Sequence, residues 1–291
     1  MRAARELRAP RGVVDVRRFF TGTPLARAHD RSLAKRARGR RPDIPWDSFD
    51  RTKYPRPALM LAFDTATKLA QGEYTAVDLF ARIASALAAV GAPFDLIAAA
   101  TFIPTDEIRH ADYALRFAAL CAGRESVTVR LEERLLRPSR RRGSTLAKLD
   151  ASMLEISAIG ETLACALLGA CAERATDPVA KALFDTILSD EIHHARLGWY
   201  YLTWRAPQWT ARERQRMADL AGEFVVDVET RFSRGRDAPG GSQRAARALG
   251  VLETRGQRTV VRAVMRDQIV PGLDALGLGA SHAWKGRRRV A

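Results

Sequence analysis

The sequence has few cysteines and lacks long apolar runs. The three cysteines of the 291-residue chain are Cys121, Cys165 and Cys171. None of them forms a Cys-x-x-Cys pair, so neither a disulfide framework nor a zinc ribbon is expected. No apolar run approaches the roughly 20 residues that span a bilayer, the best candidate being the short stretch 96–103, which excludes an integral membrane protein. Arg17 and Arg18 resemble part of an export signal, but no apolar segment follows them. We therefore expect a cytoplasmic protein.

Acidic residues are also scarce, since 33 Asp and Glu face 48 Lys and Arg, for a net charge of +15. The excess is concentrated at residues 1–56, where 16 basic residues accompany 6 acidic ones. A second basic stretch lies at 137–142. A solvated basic tail explains this pattern, and a nucleic-acid-binding arm is the alternative. Aromatic side chains are not interleaved with the arginines, so nucleic acid is the least favoured partner.

From residue 57 onward the apolar residues recur at helical spacing, and nothing resembles a strand with period 2. The pattern predicts an all-α fold. Gly91 supplies a helix stop, and Asp177 with Pro178 supplies a helix start. The first four predicted helices cover 57–90, 93–122, 145–174 and 178–204. Short links make two helical hairpins, and the long connection 123–144 is able to cross from one hairpin to the other.

After residue 204 the pattern predicts accessory helices. One covers 210–232, a glycine-rich break follows at 240–241, and a last helical stretch ends near Pro271. The predicted organisation is a basic N-terminal arm (1–56), a helical bundle (57–204), and accessory helices of the same domain with a basic C-terminal tail (205–291).

One six-residue motif occurs twice. The pattern Asp-Glu-Ile-x-His-Ala spans 106–111 in the second predicted helix and 190–195 in the fourth. Each copy holds a Glu-x-x-His pair, whose spacing places both side chains on one helical face. The pairs are Glu107 with His110 and Glu191 with His194, and both lie within apolar stripes. Because a buried carboxylate needs a compensating cation, two such pairs indicate a metal site.

Two further carboxylates are expected from the other two helices, because two divalent cations carry more charge than two glutamates neutralise. Glu73 is the charged member of the apolar stripe of the first helix. Asp78 is its rival, but periodicity directs it to solvent. Glu161 lies within the stripe of the third helix, whereas Glu155 and Glu173 fall outside it.

This ligand pattern resembles that of the ferritin-like di-iron carboxylate superfamily, and in particular bacterial di-iron oxygenases and oxidases. The resemblance covers residues 57–204 and implies a ferritin-like four-helix bundle with one long crossover. It implies two iron ions, with manganese as an alternative at one or both sites, and dioxygen as co-substrate. The implied ligands of one ion are Glu73, Glu107 and His110, and those of the other are Glu161, Glu191 and His194. Glu107 and Glu191 are the implied bridging carboxylates.

The residues around these ligands allow several interpretations. In proteins of the superfamily, the aspartate before the ligand glutamate accepts the outer N–H of the opposite histidine. That would pair Asp106 with His194 and Asp190 with His110, and surface aspartates are the alternative. Tyr201 either donates electrons to the metals or packs in the core.

Smaller expectations concern the shape of the site. Pro104 in the second helix cannot donate to the backbone, so we expect a kink or widened turn there. Small residues flank the ligand stripes and leave either a cavity beside the metals or close helix packing. These residues are Ala76, Ala100, Ala114, Ala158, Ala164 and Gly198.

The resemblance implies an oxygenase or oxidase that activates dioxygen and oxidises a small organic substrate by hydroxylation, desaturation or N-oxygenation. Such an enzyme requires an external electron donor, and a homodimer is left open. A ferroxidase or peroxide-scavenging protein with the same ligands is the alternative. A basic nucleic-acid-associated protein is a weaker one.

Overall fold

The computed structural model describes residues 13–16, 44–132, 143–232, 237 and 241–287. The chain is mostly helical, as predicted. Most of the basic arm and the basic stretch at 137–142 lie outside the described residues. The first five helices end within one residue of the predicted positions. They are α1 (Arg56–Ala89), α2 (Phe94–Ala122), α3 (Thr145–Arg174), α4 (Pro178–Arg205) and α5 (Ala211–Phe232).

Local sequence signals explain the helix ends within the two hairpins. Gly91 adopts a left-handed conformation with φ of +67° directly after α1, a conformation that costs glycine little. At the start of α4, the Asp177 carboxylate accepts hydrogen bonds from the backbone N–H groups of Val179 and Ala180 at 2.9 and 3.0 Å. Both predicted signals are confirmed.

The C-terminal part differs from the prediction. It contains α6 (Gln243–Ala248), then α7 (Thr254–Val264), which continues through the π-helical stretch Met265–Ile269 into Val270–Ala275. A last helix, α8 (Ala280–Lys285), was not predicted. The predicted end near Pro271 is wrong. Pro271 lies in the first turn after the π-helical stretch, and the helix continues past it to Ala275.

Two short strands are a further departure from the predicted absence of strands. Strand β1 (Val13–Val16) pairs antiparallel with β2 (Val129–Glu132) in the connection between the two hairpins, with Val13 opposite Glu132. In β2, Val129 and Leu131 are buried and Arg130 is exposed. Four residues give only two periods of alternation, which is too short a pattern to separate a strand from a loop.

The widened turn expected in α2 is not found there, and a π-helical stretch occurs in α3 instead. Helix α2 is α-helical through Pro104 without interruption, so the widened turn is wrong, whereas the alternative of a kink stays a prediction. The middle of α3, Met153–Gly160, is π-helical, and its α-helical geometry resumes at Glu161. Wide turns of this kind frequently occur at functional sites.

The expectation from apolar runs is also qualified, because among the described residues α3, rather than 96–103, is the one helix long and apolar enough to be a candidate membrane span. By length and composition alone it could cross a membrane, with a mean hydropathy of 1.5 over its most apolar window. Half of that window is buried inside the protein, and core helices of soluble proteins meet the same criterion.

The core consists of two apolar clusters. The first apolar cluster includes Phe80, Leu87, Leu96, Met153 and Tyr201. The second apolar cluster includes Leu59, Phe117, Leu168, Val179 and Phe184. Along α1 and α4 the chain runs from the second cluster to the first, whereas along α2 and α3 it runs the opposite way. Helix α1 contacts α2, α3 contacts α4, and α2 contacts α4.

Candidate metal centre

The predicted ligand glutamates lie in the zone between the two apolar clusters. Glu73 comes from α1, Glu107 from α2, Glu161 from α3 and Glu191 from α4. Four of the six predicted ligands form one compact group in which single ligand atoms lie within 4.8 Å of one another. Its members are Glu73, Glu107, His110 and Glu191. All four are buried, so each carboxylate has left water for a protein interior.

Each histidine directs Nδ1 at the carboxylates. His110 Nδ1 lies 3.0 Å from Glu191 Oε1, 3.6 Å from Glu73 Oε2 and 3.7 Å from Glu107 Oε2. His194 Nδ1 lies 3.1 Å from Glu107 Oε1 and 3.0 Å from Glu191 Oε2. Glu107 and Glu191 therefore contact both imidazoles with different oxygens, and they occupy the centre of the group.

The outer nitrogens of the histidines face the aspartates that precede the glutamates. His110 Nε2 lies 3.1 Å from Asp190 Oδ2, and His194 Nε2 lies 3.7 Å from Asp106 Oδ2. Each aspartate thus approaches the histidine of the opposite helix. A carboxylate at Nε2 favours the tautomer that carries its proton there, which leaves the Nδ1 lone pair directed at the carboxylates.

Arg109 is the residue that the sequence interpretation missed. Its guanidinium is buried and donates to Asp106 Oδ1 at 3.0 Å and also to Asp190 Oδ2. It therefore links the two aspartates and partly neutralises them. The available signal was its position inside the first copy of the repeated motif. The equivalent residue of the second copy, His193, is exposed.

Glu161 lies outside the compact group of four but within its electrostatic reach. Burial raises its pKa, and the charges of Glu191 and Glu107 raise it further. Glu73 shows the same direction of pKa shift, caused by burial and then by the charge of Glu107. Ionising several carboxylates this close together in the protein interior costs free energy unless a cation compensates their charge.

Protons or cations must balance the negative charge of those site carboxylates that stay ionised. Burial opposes ionisation of Glu191, but the imidazoles of His110 and His194 hold its pKa below the usual value. For both histidines, burial acts to lower the pKa. Contacts with the neighbouring carboxylates outweigh it, Asp190 first for His110 and Asp106 first for His194, so the pKa rises. The group of buried carboxylates therefore strongly favours positive charge beside it, carried by protons or by cations.

Several buried atoms of the group make no hydrogen bond within the described part of the chain. They are both carboxylate oxygens of Glu107, Oε1 of Glu191 and Nδ1 of His110. Leaving such atoms without a partner costs about 1–3 kcal/mol each, and more when they are charged. Their lone pairs suit a cation better than a packed core. The donor set of carboxylate and imidazole fits iron, manganese or zinc.

A cavity of about 830 Å³ adjoins the group. Its wall includes Glu73, Glu107, Glu161 and Glu191, so of the two alternatives left open by the sequence, a cavity lies beside the ligands. Of the small residues expected to flank it, Ala76 and Ala164 line it. Gly198 instead serves close packing, because a Cβ there would lie 2.2 Å from the backbone nitrogen of Ala158. Ala114 is fully buried and is not among the lining residues.

Asp78 and Tyr201 lie away from the ligands. Asp78 forms an ion pair with Arg82 at 2.8 Å near the surface of α1. Tyr201 is fully buried in the first apolar cluster and donates to Asp150 Oδ1 at 2.6 Å. Among the cysteines Cys171 lines the cavity, whereas Cys165, one turn after Glu161, does not.

Comparisons with protein-family models, with curated proteins and with solved structures find no match for this chain. The function must therefore be argued from the side chains of the site.

Proposed function

We propose that the protein is a ferritin-like di-iron oxygenase or oxidase that activates dioxygen and oxidises a small organic substrate. The observation that carries the proposal is the convergence of Glu73, Glu107, His110 and Glu191 in the interior, with buried ligand atoms that lack hydrogen bonds. We place the protein in the cytoplasm, with an external electron donor.

The directions of the helices support a four-helix bundle with one long crossover. Helices α1 and α4 run from the second apolar cluster to the first, and α2 and α3 run the opposite way. Parallel α2 and α3 require their connection to return along the length of the bundle. The interval from Ala122 to Thr145 is long enough for that return, and di-iron proteins share this connectivity.

The charge balance supports two divalent cations. Four glutamates carry a formal charge of −4, which two divalent ions would neutralise. We assign Glu73, Glu107 and His110 to one ion and Glu161, Glu191 and His194 to the other. Glu107 and Glu191 reach both imidazoles, so they would be the bridging ligands.

In this proposal the surrounding residues hold protons and exclude water. Asp190 keeps a proton on the outer nitrogen of His110, Asp106 lies 3.7 Å from the outer nitrogen of His194, and Arg109 holds both aspartates in place. The apolar clusters above and below the site exclude bulk water, which strengthens each of these interactions. Bound ferrous ions would supply the electrons for the reduction of dioxygen.

The cavity favours an oxygenase over a ferroxidase. A ferroxidase needs a path for metal ions, for which polar or acidic walls are suited. This cavity reaches the four glutamates through largely apolar walls, including Leu69, Leu167 and Leu168. Its volume lies in the range of cavities that bind small molecules.

The first experiment counts metal ions. Protein loaded anaerobically with Fe(II) is expected to retain about two ions per chain, and Glu107→Ala or His194→Ala should remove at least one. Asp78→Ala is the matched control, because Asp78 is an α1 carboxylate paired with Arg82 outside the site. Loss of iron from the Asp78 variant, with retention in Glu73→Ala, would overturn the ligand assignment.

The second experiment uses the same iron-loaded protein and separates the two activities. An oxygenase consumes oxygen once, retains its iron and then stalls until reductant is added. A ferroxidase oxidises many Fe(II) equivalents continuously and deposits mineral. Continuous oxidation would reject the oxygenase and favour the alternative with the same ligands.

A further inference from the structure

The cavity beside the metal ligands is elongated rather than round. On α1 its lining residues recur from Leu61 to Leu79. With a rise of about 1.5 Å per residue, this stripe is about 27 Å long. On α3 the lining runs from Ile156 to Cys171, a length of about 22 Å by the same rise. The cavity is therefore a channel between two long helices.

The cavity volume is distributed along these helices. A volume of about 830 Å³ spread over a length of about 27 Å suits an extended molecule better than a compact one.

One end of the channel is apolar and buried. Phe184, Val251 and Leu252 line it and are each at most 5 % exposed. Gly250, with a φ of +77°, turns the chain so closely against Phe184 that a Cβ would lie 2.2 Å from the ring. Lys68 and Gly72 line the channel and are exposed, so the channel meets solvent on the side of α1, between Leu61 and Glu73.

The site carboxylates lie along the channel rather than at its buried end. Glu73 is twelve residues after Leu61 on α1, which corresponds to about 18 Å of channel beyond the carboxylates. An extended alkyl chain advances about 1.3 Å per bond of about 1.5 Å, so this length holds about fourteen carbon atoms.

From this shape we propose that the substrate class of the site is molecules with a linear aliphatic chain, which lies in the channel between α1 and α3 with its end against Phe184, Val251 and Leu252. The identification of the bound molecule as a substrate rests on the proposed function. The binding of the chain depends only on the channel. Aliphatic walls bind such a chain by burying its methylene groups, and the binding strengthens with each group buried.

The test is a chain-length series measured by isothermal titration calorimetry, with octanoate, decanoate and dodecanoate as probes. Each added methylene should lower Kd by up to about fourfold, so each two-carbon step should give roughly a tenfold change. 2-Naphthoate carries the same head group on a flat ring system and should bind at least tenfold more weakly than dodecanoate. A Kd that is independent of chain length, or equal binding of 2-naphthoate, would overturn the inference.

Variants locate the bound chain. Ala164→Leu places a larger side chain in the channel one turn after Glu161 and should weaken dodecanoate binding at least tenfold. The matched control is Ala99→Leu, since Ala99 is exposed on α2 and does not line the channel. Gly72→Leu at the opening is the second variant, because a Cβ there meets nothing within 4 Å and folding should be retained. Unchanged dodecanoate binding in both channel variants would place the probe elsewhere and overturn the inference.

The series is measured with and without added Fe(II), so that the two proposals fail separately. Failure to retain iron, with a graded chain-length series, would overturn the proposed di-iron function and leave the channel assignment in place. Retention of two irons with a flat series would overturn the substrate class alone.

Discussion

At the scale of single residues, the buried pair of Tyr201 and Asp150 shows how a polar group is accommodated outside the metal site. The Tyr201 hydroxyl donates to Asp150, whose carboxylate is fully buried and lies 3.3 Å from Arg205 Nε. Burial raises the pKa of Tyr201, and the Asp150 charge raises it further. The phenol therefore stays protonated and keeps its hydrogen bond throughout the neutral range.

Replacing this hydroxyl tests whether Tyr201 is structural. Tyr201→Phe should lower the free energy of unfolding by about 1.5–3 kcal/mol, the usual contribution of a hydrogen bond to a charged partner. Iron content should not change. The adjacent Tyr200 is 65 % exposed, so Tyr200→Phe is a matched control with no expected effect. Guanidinium unfolding and iron analysis measure both; loss of iron from the Tyr201 variant alone would instead assign it to the metal site.

The repeated motif shows what the sequence could predict at this scale. The spacing within each copy correctly indicated buried Glu-x-x-His pairs, because helical geometry alone fixes which residues share a face. It could not assign Arg109, because the equivalent position in the second copy is the exposed His193. The role of Arg109 depends on Asp190, which is 81 residues away in the chain and approaches only after folding.

At the scale of elements, α3 and α4 are held together at their closest approach by the π-helical stretch. The Ser157 hydroxyl donates to the backbone oxygen of His194 at 2.8 Å. Next to this contact, Gly198 of α4 lies directly against the backbone of Ser157 and Ala158. Position 198 therefore requires a residue without a side chain, so that α4, which carries Glu191 and His194, can pack this closely against α3.

A methyl group at this position should separate the two helices. Gly198→Ala is expected to lower the free energy of unfolding by at least about 2 kcal/mol, since overpacking commonly costs about 1–3 kcal/mol and here the neighbour is backbone. Gly169→Ala on α3 is the control, because its Cβ would meet Leu188 at an ordinary distance of 3.7 Å. Helix propensity predicts that this control is stabilised by up to about 1 kcal/mol. Equal stabilisation of both variants in denaturant titrations would contradict the close packing.

The sequence predicted the long helices well and the short or irregular elements poorly. A helix such as α1 repeats its apolar pattern over 34 residues, which leaves little ambiguity. The π-helical stretch Met153–Gly160 was missed, because its widened turns leave no signal in the spacing of apolar residues along α3. The pairing of β1 with β2 joins segments more than 100 residues apart, and such a contact depends on the complete fold.

At the scale of the whole molecule, the net positive charge is concentrated in the basic arm rather than in the helices that carry the metal site. Residues 1–41 hold 13 basic and 3 acidic residues, so they carry most of the net charge of +15. Within this segment the described part is β1, which pairs with β2. Strand β2 is also held from the helical side, since Gln71 Nε2 donates to the backbone oxygen of Arg130 at 3.0 Å.

Removing the arm should therefore leave iron binding intact and weaken any binding to DNA. Deletion of residues 1–41 is expected to leave about two Fe(II) per chain, because the ligands are carried by α1 to α4. The unfolding free energy should fall modestly, because β2 loses its backbone pairing with β1.

The same deletion tests the charge of the arm. Any binding to DNA should weaken, since the net charge falls from +15 by ten units and each contact with a phosphate contributes about −0.9 to the slope of log K against log salt. Fluorescence anisotropy of labelled duplex DNA across a salt series, with the full chain and the deletion side by side, measures this slope. Equal slopes for both would mean that the arm does not contact polyanions. Loss of iron on deletion would instead mean that the arm packs over the bundle and helps to close the metal site.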